Sequence, residues 1–176
     1  PLDSYYNLPV TWLFQYFIEY KKRQGHDGLK LVFMGKAEID IPKHPDIISL
    51  GFVSEQDKFN GIAGSKALIL PSEFESLSIS VLEAMSLSIP VIVNGKCEVL
   101  KGHCVKSNAG LYYKNYFEFE EIINYIQKYD GVYHQMKLNA KKYVDGGHKD
   151  LVESGLSKDS GFEDEEYRSI GDRVEN

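Results

Sequence analysis

The sequence predicts an α/β fold in one domain, with a doubly wound and mostly parallel sheet. Short apolar runs, each of strand length, alternate with amphipathic segments of helix length over most of the chain. Strands that alternate with helices at such short intervals indicate βαβ units, and these place parallel strands in one layer with helices on both faces. A chain of 176 residues is also the right size to bury a single substantial core.

The first element predicted is a helix that begins near Asn7. Asn7 is a competent N-cap, and Pro9 falls in the first turn, where its missing N–H has no intrahelical partner to lose. Apolar residues then recur at helical spacing from Trp12 to Tyr20. Three basic residues followed by Gly25 predict the end of this helix.

Five apolar runs predict strands. They span residues 29–34, 47–52, 67–70, 90–93 and 110–113. The run at 67–70 is uninterrupted and ends at a proline, so we expect a parallel strand that is buried on both faces. The run at 110–113 is expected at the edge of the sheet.

The segments between these runs predict helices. Ser54 and Asp57 resemble a capping box for a short helix that stops near Gly64. Residues 79–85 have the spacing of a buried helix, and two amphipathic helices are expected at 116–128 and 131–144.

The pattern ends near residue 145, which predicts a folded domain over residues 1–145 and an acidic, weakly structured tail over 146–176. The tail holds 4 of the 20 Lys/Arg residues and 9 of the 26 Asp/Glu residues. The body therefore holds 16 Lys/Arg and 17 Asp/Glu. The net charge of −6 therefore comes mostly from the tail. Its composition offers few large apolar side chains to offset the entropy of ordering it.

Composition argues against several classes of protein. Neither portion gathers the Lys/Arg cluster that a nucleic-acid partner needs. No apolar run approaches the roughly 20 residues of a transmembrane segment. Cys97, His103 and Cys104 lack the paired short spacings of a zinc site, so reduced thiols are the expectation. The chain opens without a charged and then apolar leader, and we expect it to be part of a longer protein.

The polar loop after the run at 67–70 carries the candidate site. In an open parallel sheet, ligands bind beyond the carboxyl ends of the strands. This loop delivers Glu73 and Glu75 into the first turn of the next helix, whose free N–H groups suit a diphosphate. Glu83 follows Glu75 by eight positions, so two carboxylates can contact one elongated ligand. Carboxylates accept hydrogen bonds from the paired hydroxyls of a sugar or a ribose.

At these residues the sequence resembles a known family. The segment PSEFESLSISVLEAM at 71–85, followed by SIPVI at 88–92, resembles the donor-site signature of the group 1 (family four) retaining glycosyltransferases. That signature has two glutamates separated by seven residues, within a Pro-Ser, Leu-Glu-Ala-Met and Pro-Val-Ile context. The resemblance covers roughly residues 1–145 and implies a Rossmann-like domain, one half of a GT-B fold.

The resemblance also implies site residues. Glu75 is expected to hold hydroxyls of the transferred sugar, and to be the residue most important for catalysis, while Glu83 holds the ribose. The main chain at Ser76, Leu77 and Ser78 is expected to meet the sugar and the diphosphate. Val53 is a candidate main-chain contact to the base. Lys36 is a candidate phosphate contact.

The implied activity is transfer of a hexose from a nucleotide-diphosphate sugar to an acceptor, in polysaccharide biosynthesis. The donor is a substrate, and neither a cofactor nor a metal is expected, because basic side chains and helix-terminal amides neutralise the leaving diphosphate. The acceptor is expected on an N-terminal domain of the same protein, so this portion alone binds but does not turn over. The expected location is the cytoplasm, with the full-length protein either free there or peripheral to a membrane.

Two departures from the family keep other functions open. The family usually has Gly-Phe-Gly where this chain has Ser76-Leu77-Ser78, and an arginine and a lysine where it has Pro1 and Tyr6. A non-catalytic nucleotide-sugar-binding or scaffold module is one alternative. A sugar-nucleotide epimerase of the same architecture is the other.

Overall fold

Helices and strands alternate along the chain, as the sequence predicts. The computed structural model of the protein describes residues 9–25, 28–36 and 39–147. In chain order the elements are α1 (Pro9–Gln24), β1 (Leu31–Met34), β2 (Ile47–Gly51), α2 (Glu55–Ala63), β3 (Leu68–Leu70), α3 (Ile79–Ser86), β4 (Val91–Asn94), α4 (Glu98–Ser107), β5 (Gly110–Tyr113), α5 (Tyr116–Lys128) and α6 (Asp130–Asp145). Each predicted strand and helix that falls on these residues is present, with small shifts at its ends. Helix α4 was not predicted, because the segment between residues 93 and 110 is rich in small and polar residues and was interpreted as a loop.

Several predictions fall outside the described residues. The N-cap Asn7, the family positions Pro1 and Tyr6, and nearly all of the tail are among them. Of the tail, Gly146 and Gly147 are described, and the N–H of Gly146 caps α6 by donating to the carbonyl of Lys142 at 3.0 Å.

Every strand pairing in the described part of the chain is parallel. β1 pairs with β2, and β3, β4 and β5 form a second hydrogen-bonded group in that order. This confirms the predicted parallel α/β class and places β5 at an edge. The predicted full burial of 67–70 is wrong, because all three residues of β3 are half-buried. The central strand is β4, and its four residues are buried instead.

The side chains of β4 alternate between two packed layers, as a doubly wound sheet requires. Val91 and Val93 lie in a cluster that includes residues of α3, α4 and α6. Ile92 points the opposite way, into a cluster with α1 and α5. Since successive side chains of a strand face opposite sides, these contacts show that helices cover both faces.

Helix α3 is the most enclosed of the helices and follows directly from the candidate loop. Its residues 81–85 are all buried, against a layer that includes β4 and α6. Because its apolar side chains pack against the core, the helix is held in one orientation, and the position of its N-terminus is fixed with it. No described helix is long and apolar enough to cross a membrane.

Candidate functional site

The loop that follows β3, residues 71–78, lies at the carboxyl edge beside the loop that follows β4. The side-chain amide of the buried Asn94 donates to the carbonyl of Pro71 at 2.9 Å. Lys96 Nζ lies 2.8 Å from Glu73 Oε1 in an ion pair. We call residues 71–78 the donor loop. These contacts hold the first half of the donor loop against the end of the central strand. Glu73 is therefore a partner of Lys96.

The donor loop ends at Ser78, which has a left-handed backbone with φ 62° and ψ 76°. This conformation is uncommon for a residue with a side chain, and it persists where the surroundings fix it. Ser78 is the N-cap of α3, yet its hydroxyl makes no capping hydrogen bond. Among the described residues, its Oγ is the one fully enclosed side-chain N or O atom without a partner.

The N-terminus of α3 presents free main-chain donors. The N–H groups of Val81 and Leu82 donate to the carbonyl of Ser78, which begins the helix. Over the described chain the N–H groups of Ser78, Ile79 and Ser80 have no acceptor. Free amides at the positive end of a helix dipole favour an anion.

Glu75 is half-buried within the donor loop and forms neither an ion pair nor a hydrogen bond with any described residue. Ser76 beside it is exposed, whereas Leu77 packs against the α3 and α4 layer. The loop therefore places one unpaired carboxylate just before the free amides of α3.

Glu83 lies on α3 and is only 7% exposed. Its Oε1 lies 3.1 Å from Nζ of Lys58 on α2, in a hydrogen-bonded ion pair. Its other oxygen has no partner among the described residues and is not fully enclosed. A buried carboxylate needs such a partner. The ion pair thus keeps a charge at the site and leaves one oxygen for further hydrogen bonds.

Lys58 was not predicted as a site residue, and nothing in its spacing marks it. Its Nζ lies 2.7 Å from Glu55 as well as 3.1 Å from Glu83. Burial by itself lowers the pKa of Lys58, but the hydrogen bond to Glu55 and the charge of Glu83 outweigh burial and raise that pKa overall. Lys58 is therefore a permanent cation next to Glu83.

The other predicted residues lie at the ends of β1 and β2. Lys36 follows β1, is exposed and pairs with no acid in the described part of the chain. Val53 follows β2 and is half-buried, and no described group accepts from its N–H or donates to its carbonyl. Phe52, next to it, exposes 89% of its surface. Lys36 and Val53 therefore lie at the carboxyl ends of β1 and β2.

His103, whose spacing in the sequence argues against a zinc site, has polar contacts in the structure. It is buried, and its Nε2 lies 2.8 Å from the carbonyl oxygen of Leu77 in the donor loop. Its Nδ1 lies 3.1 Å from the hydroxyl of Tyr143 on α6. This link spans 26 residues, so no local pattern reveals it.

The two cysteines are free and buried. Burial raises the pKa of Cys104 to about 12, so its thiol stays protonated at neutral pH. No group of three or more His, Cys, Asp or Glu side chains in the described ranges is arranged to hold a metal ion. The residues described at the carboxyl edge are instead carboxylates, amides and lysines.

Comparison with known proteins decides the family. The sequence profile described as "Glycosyl transferases group 1" matches residues 4–126, well over half of the chain. The chain belongs to this family. The match spans the glycosyltransferase donor loop, Glu75 and Glu83, so both glutamates lie within the family's own sequence region.

A solved structure supports the fold of this glycosyltransferase domain. This chain is similar to the crystal structure of WaaG, a glycosyltransferase involved in lipopolysaccharide biosynthesis, with a TM-score of 0.54 and 12% sequence identity. The alignment covers 82% of this chain and 50% of WaaG, so the domain corresponds to about half the length of that protein. At this identity the likeness shows the fold alone, which is a Rossmann-like half of a GT-B architecture. The curated proteins searched contain no significant match.

Proposed function

We propose that this protein is the donor-binding half of a retaining glycosyltransferase and that its carboxyl edge holds a nucleotide-diphosphate sugar. One observation carries the proposal. A buried carboxylate, Glu83, keeps an oxygen free on the same helix whose N-terminal amides are unpaired. A ligand with vicinal hydroxyls at one point and an anion at another matches this arrangement.

The ribose of the donor is assigned to Glu83. Its free oxygen accepts a hydroxyl hydrogen bond, and the ion pair with Lys58 fixes the other oxygen at 3.1 Å from Nζ. Because α3 is enclosed by the core, the carboxylate has little freedom to move. Little entropy is therefore lost when the ribose binds.

The transferred sugar is assigned to Glu75 and the diphosphate to the N-terminus of α3. Glu75 has no described partner, so its carboxylate is available to the sugar hydroxyls. The amides of Ser78, Ile79 and Ser80 face the negative charge that grows on the leaving diphosphate. Ser76 and Leu77 contribute main-chain contacts between these two points.

The base is assigned to the segment after β2 and an outer phosphate to Lys36. Val53 offers a main-chain N–H and carbonyl with no partner in the described residues, and the neighbouring Phe52 ring is open to stack on a base. Lys36 is an exposed cation at the end of β1.

The proposed reaction is transfer of a hexose with retention of configuration at its anomeric carbon, without a metal or cofactor. This half supplies no nucleophile. Attack by the acceptor comes from the face that the leaving diphosphate occupies, and an N-terminal domain brings the acceptor. A cytoplasmic role in polysaccharide biosynthesis is part of the proposal. It is supported by the family and by what WaaG is described as doing.

Calorimetry with uridine, guanosine and adenosine diphosphates and their sugars tests the proposal. Glu83→Gln is expected to weaken the preferred diphosphate and its sugar conjugate alike, by about ten- to a hundredfold, since it removes a charge-assisted hydrogen bond. Glu75→Gln should weaken the sugar conjugate and leave the bare diphosphate nearly unchanged. Glu73→Gln is the matched control, because Glu73 is on the same loop but paired with Lys96.

A non-catalytic module is the second candidate, and two observations favour it. Lys58 already occupies one oxygen of Glu83, and Ser78 carries a side chain at a left-handed position where the family has glycine. If the wild-type protein binds none of these ligands, the transferase proposal fails and this candidate takes its place.

A further inference from the structure

A histidine of α4 hydrogen-bonds to the main chain of the donor loop. His103 Nε2 lies 2.8 Å from the carbonyl oxygen of Leu77, the residue just before Ser78. A carbonyl oxygen only accepts, so Nε2 carries a proton and donates it. In the neutral ring Nδ1 then accepts from the hydroxyl of Tyr143, which lies 3.1 Å away. Burial raises the pKa of Tyr143, so that hydroxyl remains a donor at neutral pH.

This contact sets the direction of a peptide group that belongs to the site. The carbonyl of Leu77 and the N–H of Ser78 are parts of one planar trans peptide, and they point in opposite directions. With the carbonyl fixed on His103, the N–H of Ser78 points away from α4. Over the described residues this N–H has no acceptor, as is also the case for the N–H groups of Ile79 and Ser80.

The conformation of Ser78 at the end of the donor loop is unfavourable without a contact that holds it. Ser78 keeps its left-handed backbone although it has a side chain, and its enclosed hydroxyl has no partner. Both features favour rotation of the peptide before it towards an ordinary conformation. Asn94 holds the start of the donor loop through Pro71, and His103 holds its end.

We propose that His103, oriented by Tyr143, is a positioning residue that keeps the Leu77–Ser78 peptide in the conformation that binds the donor diphosphate. The inference rests on the proposed function and adds to it a residue outside the donor loop. His103 touches no substrate atom in this scheme and acts through the main chain of Leu77.

The test measures the affinity of the whole chain for inorganic pyrophosphate and for the preferred nucleoside diphosphate. His103→Leu removes the donor and keeps a buried apolar side chain, and it is expected to weaken both ligands by about five- to tenfold. His103→Gln retains an N–H donor of similar reach and is expected to bind within about twofold of wild type. Tyr143→Phe keeps the ring and is expected to lose about threefold, which provides a readout if His103→Leu does not fold.

A double-mutant cycle separates positioning from general destabilisation. Glycine adopts the left-handed conformation without strain, so in a Ser78→Gly background His103→Leu is expected to cost less affinity than in wild type. Urea unfolding of each variant identifies conditions in which all are folded. Equal affinity of folded wild type and His103→Leu, or an equal loss in both backgrounds, overturns the inference.

The two proposals fail in different ways. A wild-type protein that binds neither pyrophosphate nor any diphosphate overturns both. Wild-type binding that depends on Glu83 but not on His103 overturns only this inference and leaves the proposed function standing.

Discussion

Nζ of Lys58 lies 3.1 Å from Oε1 of Glu83 and joins helix α2 to helix α3. The two residues are 25 positions apart, and the carboxylate is the more enclosed partner, with 9% of its side chain exposed against 28% for the lysine. The ion pair therefore serves both the stability of the fold and the charge of the site.

Lys58→Met is expected to destabilise the protein by about 1–2 kcal/mol, because it leaves a buried carboxylate without its cation while the lysine itself is partly solvated. Urea unfolding at neutral pH measures this. Lys101→Met is the control, since Lys101 pairs at 3.7 Å with the exposed Glu98 and should change stability by less than about 0.5 kcal/mol. Equal effects of the two substitutions would contradict the prediction that the Lys58–Glu83 pair stabilises the protein more than the exposed pair does.

Ser78→Gly is expected to make the protein more stable by about 1 kcal/mol and to strengthen binding of the diphosphate, because glycine keeps the left-handed conformation without strain. It relieves a left-handed backbone at φ 62° and removes a hydroxyl without a partner, although the flexible glycine offsets part of the gain. Thermal unfolding and calorimetry measure the two effects.

Ser88→Gly is the matched control for that experiment. Ser88 has nearly the same backbone, with φ 61°, but follows the other end of α3. Its substitution should stabilise the protein and leave ligand affinity unchanged. A gain of affinity in both variants shows that the effect of Ser78→Gly is not local to the donor loop.

Gly110→Ala is expected to destabilise the protein by about 1–3 kcal/mol. A Cβ at this position on β5 lies 2.6 Å from Cys104 Sγ and 2.6 Å from Val91 Cγ2, in a region that is already packed. Gly102→Ala is the opposite case, because a Cβ there meets nothing within 4 Å inside α4, and it should stabilise by about 0.5–1 kcal/mol. Denaturant midpoints of the two variants should move in opposite directions. A stable Gly110→Ala protein contradicts the packing between α4 and β5.

Stability is expected to fall on the alkaline side, starting near pH 9. Burial raises the pKa of Cys104 to about 12, and burial with a hydrogen bond to Glu120 raises the pKa of Tyr116 to about 12. A group whose pKa is higher in the folded state contributes stability below its unfolded pKa. That contribution is lost as pH rises through the folded value.

The free energy of unfolding measured by urea between pH 7 and pH 11 checks this prediction. Cys104→Ala should move the onset of the decline from about pH 9 towards pH 10, where tyrosine begins to ionise in the unfolded chain. A flat profile over this range, or an unchanged onset in the variant, contradicts it.

The order and type of the elements, helix α4 excepted, follow from the sequence because they depend on local patterns. Apolar runs of strand length and 3.6-residue spacing are properties of neighbouring residues, and Ser54 indeed caps α2 by accepting from the N–H of Asp57 at 3.1 Å. The segment from Pro71 to Glu83 likewise identifies the family by its own residues. Two expectations failed. The burial of 67–70 was wrong because burial depends on which strands lie on either side, and β4 is the central one. Helix α4 was missed because its buried apolar residues, Leu100 and Cys104, are few and its apolar periodicity is weak.

The supports of the candidate site were decided by tertiary structure alone. Lys58 at Glu83, Asn94 at Pro71 and His103 at Leu77 each join residues more than 20 positions apart. The side chains of these three residues can be read as solvated or as packing groups when only their neighbours in sequence are known. The sequence determines which residues form the donor loop and α3. The folded chain determines which distant side chains hold them, because hydrogen bonds and ion pairs act over a few ångströms of space and are independent of separation along the chain.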